Sequence, residues 1–219
     1  MNAKLAAARA ALAELPSEGV IGLGTGSTTR LFIDALGELV KQGRRYIGVP
    51  TSEASRAQAT ALGIPLLSDD GPWDIAVNVD GADEVSPALD LIKGGGGAHT
   101  REKIINASAR KNVIIVDDSK LSPRLGTKWK VPIEVLAFAH AATAAHLARF
   151  GTPTLRAGNT DSGNVIYDLA AGALADPAAL DRQLHAIPGV VETGLFIGRA
   201  DIVIVAQADG EIRRLLRPE

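Results

Sequence analysis

The chain has 219 residues, with 23 Lys and Arg against 25 Asp and Glu, a formal net charge of -2, and no cysteine. Near-neutral charge provides no general field for nucleic acid or an anionic membrane. The missing thiols exclude disulfides, thiolate nucleophiles and cysteine metal sites, and fit a reducing, cytoplasmic compartment.

In chain order, residues 1–15 place Leu5, Ala8, Leu12 and Leu15 at helical spacing. They predict a first helix of the fold, because a targeting peptide would carry a compact apolar stretch. Nothing approaches about 18 uncharged apolar residues, so no membrane span is expected. Val20–Gly24 reads as a strand, Thr28–Lys41 as a helix, Arg45–Val49 as a strand and Ser52–Ala61 as a helix. Asp74–Asp80 is a third strand, Thr100–Arg110 a helix and Asn112–Asp117 a fourth strand. Strands alternating with helices predict a Rossmann-like α/β domain, a mostly parallel sheet with helices on both faces.

From Lys130 the rhythm changes. Val131–Leu136, Ala139–Phe150, Thr154–Ala157, Asn164–Leu169, Pro177–Ile187 and Val190–Phe196 follow the order β-α-β-β-α-β. That is the order of a small ferredoxin-like α+β domain. Ile202–Ala206 is a strand returning to the first sheet. The expected division is therefore residues 1–129 and 202–219 in the Rossmann-like domain, with residues 130–201 as the inserted lid domain.

In an open parallel sheet, ligands bind beyond the carboxyl ends of the strands. Those ends carry Gly24-Thr25-Gly26-Ser27-Thr28, Thr51-Ser52-Glu53, Asp80-Gly81-Ala82-Asp83-Glu84 and Asp117-Asp118-Ser119-Lys120. The first turn can cradle a phosphate at a helix start. It is neither a Walker A loop nor a strict G-x-G-x-x-G, since Thr29 stands at the third glycine, and a capped tight turn is the plainer alternative. The Asp80–Glu84 group follows a buried strand, so its carboxylates suit acid/base work or binding of hydroxyls or Mg²⁺, with a loop that merely solvates its charges as the plainer alternative.

Lys93-Gly94-Gly95-Gly96-Gly97 followed by Glu102 is the most informative segment. Glycines cost entropy on ordering, and a run flanked by Leu91-Ile92 and a helix is better explained by a ligand lying against the backbone than by a linker. Glu102 falls in the first helical turn, where the dipole favours its ionised form. Lys93 can neutralise charge developing on a substrate oxygen. The four histidines suggest no metal site: His140, His146 and His185 read as surface or packing residues, and His99 as a spacer. Residue chemistry alone thus points to proton transfer on a small phosphorylated substrate. Other enzymes on related folds stay open at this level, namely a sugar-phosphate deaminase or lactonase or a coenzyme A transferase. So does a sugar-phosphate-sensing module, although residues 1–19 are too short for a helix-turn-helix.

The motifs GLGTGST (22–28), TSEAS (51–55), DGADE (80–84), KGGGGAHTREK (93–103), DDSK (117–120), VPIEV (131–135), GN (163–164) and IPGVVETGLF (187–196) stand in one order along the chain. With them the chain resembles the type A ribose-5-phosphate isomerases. The resemblance implies interconversion of ribose 5-phosphate and ribulose 5-phosphate through an enediolate, without metal or cofactor. Glu102 would be the base moving the proton between C2 and C1. Asp80 and Lys93 would assist ring opening and polarise the carbonyl oxygens, and Asp83 would hold sugar hydroxyls. Thr25, Gly26, Ser27 and Thr28, Gly81 and Ala82, Gly94, Gly95 and Gly96, and Lys120 with Lys4 would complete the substrate site. Of these, Thr25–Thr28 and Lys120 would take chiefly the phosphate, and the glycine run would set backbone N–H groups against the enediolate. A homodimer or tetramer is implied, with no nucleic acid or membrane partner. His99 stands where the family is commonly apolar, and Trp129 is unusual.

Overall fold

The computed structural model describes residues 3–217. The chain forms two compact units. One comprises the chain up to Ala82, Arg101–Lys120 and the chain from Arg199; the other comprises Asp83–Thr100 and Leu121–Gly198.

In the first unit, α1 (Ala3–Ala11) leads into β1 (Gly19–Leu23), α2 (Ser27–Lys41), β2 (Tyr46–Pro50), α3 (Glu53–Ala61) and β3 (Ile75–Asp80). The chain then contributes the short strands β4 (Glu84–Val85) and β5 (Leu91–Ile92) to the second unit. It returns along α4 (His99–Ser108) to β6 (Asn112–Asp117). The second unit continues with β7 (Val131–Val135), α5 (His140–Leu147), β8 (Thr152–Leu155), β9 (Val165–Ala170), α6 (Pro177–His185), β10 (Val190–Thr193) and β11 (Leu195–Phe196). The last strands, β12 (Ile202–Ala206) and β13 (Ile212–Leu216), belong to the first unit.

The first unit's sheet has the order β13-β12-β6-β3-β1-β2. All pairings are parallel except β12 with β13. From β1 the chain steps outward to β2 and then back to β3 on β1's other side. The strand order therefore reverses between β1 and β3, the switch point where such sheets bind ligands. Ile21, Leu23, Val77, Val79, Val113, Ile115 and Ile204 join Phe32, Ile33 and Leu36 of α2 in one buried core. Val49, Ile75 and Ile105 of α4 form another cluster. Each large aliphatic side chain so buried contributes about 1.5–3 kcal/mol.

The first helix buries Ala8 of the expected face, but its buried face is centred on alanines and not on the leucines. Ala7, Ala8 and Ala11 are fully buried, while Leu5 is only half-buried and Leu12 and Leu15 flank the core. Small side chains let the helix lie close on α2, β6 and β12. Met1 and Asn2 of the expected helix lie outside the described residues.

The second unit has the order β10-β7-β9-β8, antiparallel throughout, with α5 and α6 following β7 and β9. This is the ferredoxin-like element order read from the sequence. A further small sheet, β11-β5-β4, was not visible there. It draws residues 83–100 into the second unit, where an insertion confined to residues 130–201 leaves them with the first. Glu84 secures them: fully buried, it accepts the backbone N–H groups of Gly126, Lys128 and Trp129. The expected strand Val190–Phe196 also divides, at Gly194. Its N–H donates to the Pro132 carbonyl at 2.6 Å and its carbonyl accepts the Lys93 N–H at 2.9 Å. A Cβ there would stand 2.3 Å from the Lys93 carbonyl oxygen, so only glycine joins the two sheets.

Candidate active site

Within the first unit, α2 leaves the carboxyl end of β1 and the turn Asp118–Lys120 follows the carboxyl end of β6. Because α4 leads into β6, which is parallel to β3, the start of α4 also lies at the carboxyl end of the sheet. One end of this unit therefore gathers Thr25–Thr28, Asp80, Glu102 and Lys120.

The turn after β1 is built around Asp80. Its Oδ1 accepts the backbone N–H of Thr25 at 3.1 Å and of Gly81 at 2.7 Å, and the side chain is 1% exposed. A Cβ on Gly24 would meet that oxygen at 2.1 Å and the Asp80 Cα at 2.7 Å. Glycine at 24 is thus required by the carboxylate lying on the backbone.

The TSEAS segment braces the same turn. The Thr25 hydroxyl lies 2.7 Å from that of Thr51 and donates to Ser52 Oγ at 2.8 Å, and Ser55 Oγ donates to the Gly24 carbonyl at 2.7 Å. Thr51 Oγ1 donates to the Leu23 carbonyl. Both Thr25 donors are therefore committed to scaffolding. An incoming anion would meet instead exposed Ser27, half-buried Thr28 and the first-turn N–H groups of α2, which begins after Gly26 with no side-chain cap. Lys4 donates to Ser27 Oγ at 2.9 Å, which places its ammonium at that helix start.

Glu102 is 3% exposed in the first turn of α4. Below it, Asn106 donates to the Arg199 carbonyl and Asn112 donates to the Asn106 carbonyl. Asn78 of β3 in turn donates to Asn112 Oδ1. This buried amide chain locks α4 to β3 and β6.

In the second unit, Lys93 is 3% exposed, with Nζ 5.4 Å from the Phe196 ring centroid. The glycine run is a closed turn: Gly94 and Gly97 have φ of 109° and 79°, and the Gly97 N–H donates to the Gly94 carbonyl at 3.0 Å. Gly95 donates its N–H to Asp83 Oδ2 at 2.7 Å. Two N–H groups expected to face substrate thus hold the turn and Asp83 instead. His99 is fully buried, with Nε2 3.3 Å from the Glu192 carbonyl, and its ring fills the space a Cβ on Gly94 would need. Thr100 donates to Glu134, a buried carboxylate that also accepts from Thr160 and Asn164.

Asp83, Lys93 and Gly94–Gly96 thus belong to the second unit. Thr25–Thr28, Asp80–Ala82, Glu102, Lys120 and Lys4 belong to the first. The chain itself links them, between Ala82 and Asp83 and between Thr100 and Arg101.

Residues 47–210 match the model of the family Ribose 5-phosphate isomerase A (phosphoriboisomerase A). The chain belongs to the ribose-5-phosphate isomerase A family. These enzymes interconvert ribose 5-phosphate and ribulose 5-phosphate. Ribose-5-phosphate isomerase A of Chloroflexus aurantiacus is 48% identical over 94% of this chain and 90% of its own length. That of Thermomicrobium roseum is 46% identical over 99% and 94%. The solved structure of a D-ribose-5-phosphate isomerase in complex with phospho-erythronic acid superposes with a TM-score of 0.93, at 43% identity over 99% of this chain and 100% of that one. The isomerase of Methanocaldococcus jannaschii gives 0.91 at 38% identity, with 98% of each chain covered.

Glu84 and Glu134 stand in motifs of the sequence, but their buried hydrogen bonds are not legible there, and Arg156 and Asp168 carry no signal at all. Asp181, His185 and Glu192 come within 4.8 Å of one another, the one His/carboxylate group among the described residues close enough to hold an ion. Its histidine is engaged at both nitrogens, Nδ1 2.9 Å from the Asp181 carbonyl and Nε2 2.8 Å from Glu192 Oε1. The Glu192 hydrogen bond holds the imidazolium above its ordinary pKa. His140 Nδ1 pairs with the Tyr167 hydroxyl at 2.7 Å. No helix among the described residues is long and apolar enough to cross a membrane.

Proposed function

We propose that the chain isomerises ribose 5-phosphate through an enediolate, with Glu102 as the single base that takes the C2 proton and returns it at C1. The observation that carries this is the burial of the Glu102 carboxylate at the start of α4, at the sheet end where Asp80 marks the switch point. A proton moved between adjacent carbons needs one base reaching both, held still and shielded from water.

The remaining roles follow from charge. Lys93 is the cation for the oxygen that gains negative charge. Asp80 assists ring opening, and Asp83, fixed by the Gly95 N–H, holds sugar hydroxyls. Ser27, Thr28, Lys4 and Lys120 take the phosphate at the start of α2, where the dipole favours an anion. Thr25, Gly26, Gly81, Ala82 and Gly94–Gly96 shape the walls. These side chains supply the acid, base and cation, so the reaction needs no metal or cofactor. We also propose a cytoplasmic homodimer; Phe138, 83% exposed, and Leu136, 48% exposed, offer apolar surface for it.

The deciding test is incubation of purified protein with ribose 5-phosphate in chelator, following ribulose 5-phosphate. Production at an enzymatic rate is expected. Folded protein that forms none would overturn the reading.

A further inference from the structure

We propose that Arg156, held by Asp168, is a positioning residue that fixes the Gly94–Gly95 peptide and, through that peptide, the carboxylate of Asp83. The inference rests on the assignment of Asp83 to the sugar hydroxyls.

Arg156 follows β8 and Asp168 lies on the neighbouring β9. Arg156 Nε donates to Asp168 Oδ2 at 3.0 Å and Nη2 donates to Oδ1, a two-bond fork. An ion pair serving only the sheet would end there. Here the third donor, Nη1, turns away from the sheet to the glycine turn. It donates to the Gly94 carbonyl at 2.8 Å and to the Gly95 carbonyl at 3.3 Å.

The Gly94–Gly95 peptide is thus held at both ends. Its carbonyl accepts from Arg156, and its N–H donates to Asp83 Oδ2 at 2.7 Å. A cation on the carbonyl oxygen draws electron density along the amide and makes the N–H a stronger donor, because hydrogen bonds in series polarise one another. Asp168, Arg156, the peptide and Asp83 therefore form one chain from a strand to the proposed substrate site. The turn has no side chains of its own by which to be held, and a Cβ at Gly95 would stand 2.7 Å from Asp83 Oδ1. External clamping is the means left to it. Lysine cannot replace the arginine, since an ammonium cannot fork onto a carboxylate and reach two carbonyls in one plane.

The clamp borders a cavity of about 380 Å³ lined by Gly95, Lys128, Trp129, Lys130, Arg156 and Asp168. A small cation from solution can therefore reach the place of a deleted guanidinium.

The test compares Arg156→Ala, Arg156→Lys, Asp83→Asn and the double variant Arg156→Ala/Asp83→Asn, with ribose 5-phosphate as substrate and folding checked by circular dichroism. Arg156→Ala is expected to lower kcat/KM by about 10-fold to 10²-fold, as loosened substrate positioning does, chiefly through KM. Millimolar guanidinium should restore part of the loss, which a merely structural contact would not show. The double variant should be no worse than Asp83→Asn alone. A folded Arg156→Ala with kcat/KM within twofold of the parent, or losses that multiply in the double variant, would overturn the inference. If Arg156→Ala does not fold, Arg156→Lys is judged by the same limits. An Asp83→Asn variant with unchanged kcat/KM sinks the assignment of Asp83, and this inference with it.

Discussion

The backbone N–H of Thr25 donates to Asp80 Oδ1 at 3.1 Å, tying the turn after β1 to the end of β3 at the point where the strand order reverses. That bond, with the bare backbone of Gly24 beneath the carboxylate, makes the turn after β1 and the start of the acidic loop one object. Gly24→Ala would push a Cβ to 2.7 Å from the Asp80 Cα, which is backbone and cannot swing aside. Overpacking of this kind costs about 1–3 kcal/mol. The variant should melt several degrees lower and lose activity out of proportion to its stability. A Gly24→Ala protein with unchanged melting temperature and kcat/KM would refute the coupling.

Glu102→Gln keeps the shape of the side chain and removes its basicity. Binding of ribose 5-phosphate, read by calorimetry, should persist. Turnover should fall by at least the 10²–10⁴-fold that general-base catalysis contributes. Near-normal kcat would mean that another group moves the proton.

How far the sequence reveals this arrangement depends on the length of each signal. The first unit's strands are apolar runs ended by glycine or acidic turns, so β1, β3 and β6 and the residues just beyond them can be placed from periodicity. Strands of two residues, such as β4, β5 and β11, have no period to read, and with them the fate of residues 83–100 was hidden. Glu84 shows the same limit in one side chain. It stands in an acidic cluster with Asp80 and Asp83, yet it is spent on three N–H groups of residues 126–129, a long-range pairing no spacing encodes. Arg156, just past β8, and Asp168, on β9, are ordinary residues until the glycine turn is laid against them. The first helix was legible only in part for a simpler reason: leucines mark a face by hydrophobicity, whereas close helix packing selects the alanines, of which only Ala8 lay on the expected face.

His185 provides a pH test of the second unit's stability. Both of its partners, the Asp181 carbonyl and Glu192 Oε1, are acceptors, so only the doubly protonated ring satisfies both. Its pKa is raised, first by the Glu192 hydrogen bond. The stabilisation is therefore complete below the unfolded value of 6.5 and is lost as pH rises through the higher folded value. The ring is 37% exposed, so after solvent screening about 0.5 kcal/mol is at stake. His185→Gln should lower the melting temperature by a degree or two at pH 5.5 and by much less at pH 9. An equal loss at both would show that the proton is not involved.

Lys93 can be tested through the reaction's intermediate. Phospho-erythronic acid, bound in a relative's structure, ends in a carboxylate whose two oxygens resemble the paired oxygens of an enediolate. If Lys93 stabilises charge there, the acid should bind about 10²-fold or more tighter than ribose 5-phosphate, as transition-state mimics do. Lys93→Met should erase most of that advantage while leaving affinity for inorganic phosphate, whose proposed ligands are Ser27, Thr28, Lys4 and Lys120, little changed. Competition assays and calorimetry on both proteins measure this. An advantage that survives intact in Lys93→Met would remove Lys93 from the role of electrophile. A parallel loss of phosphate affinity would instead mark Lys93 as a general anion anchor.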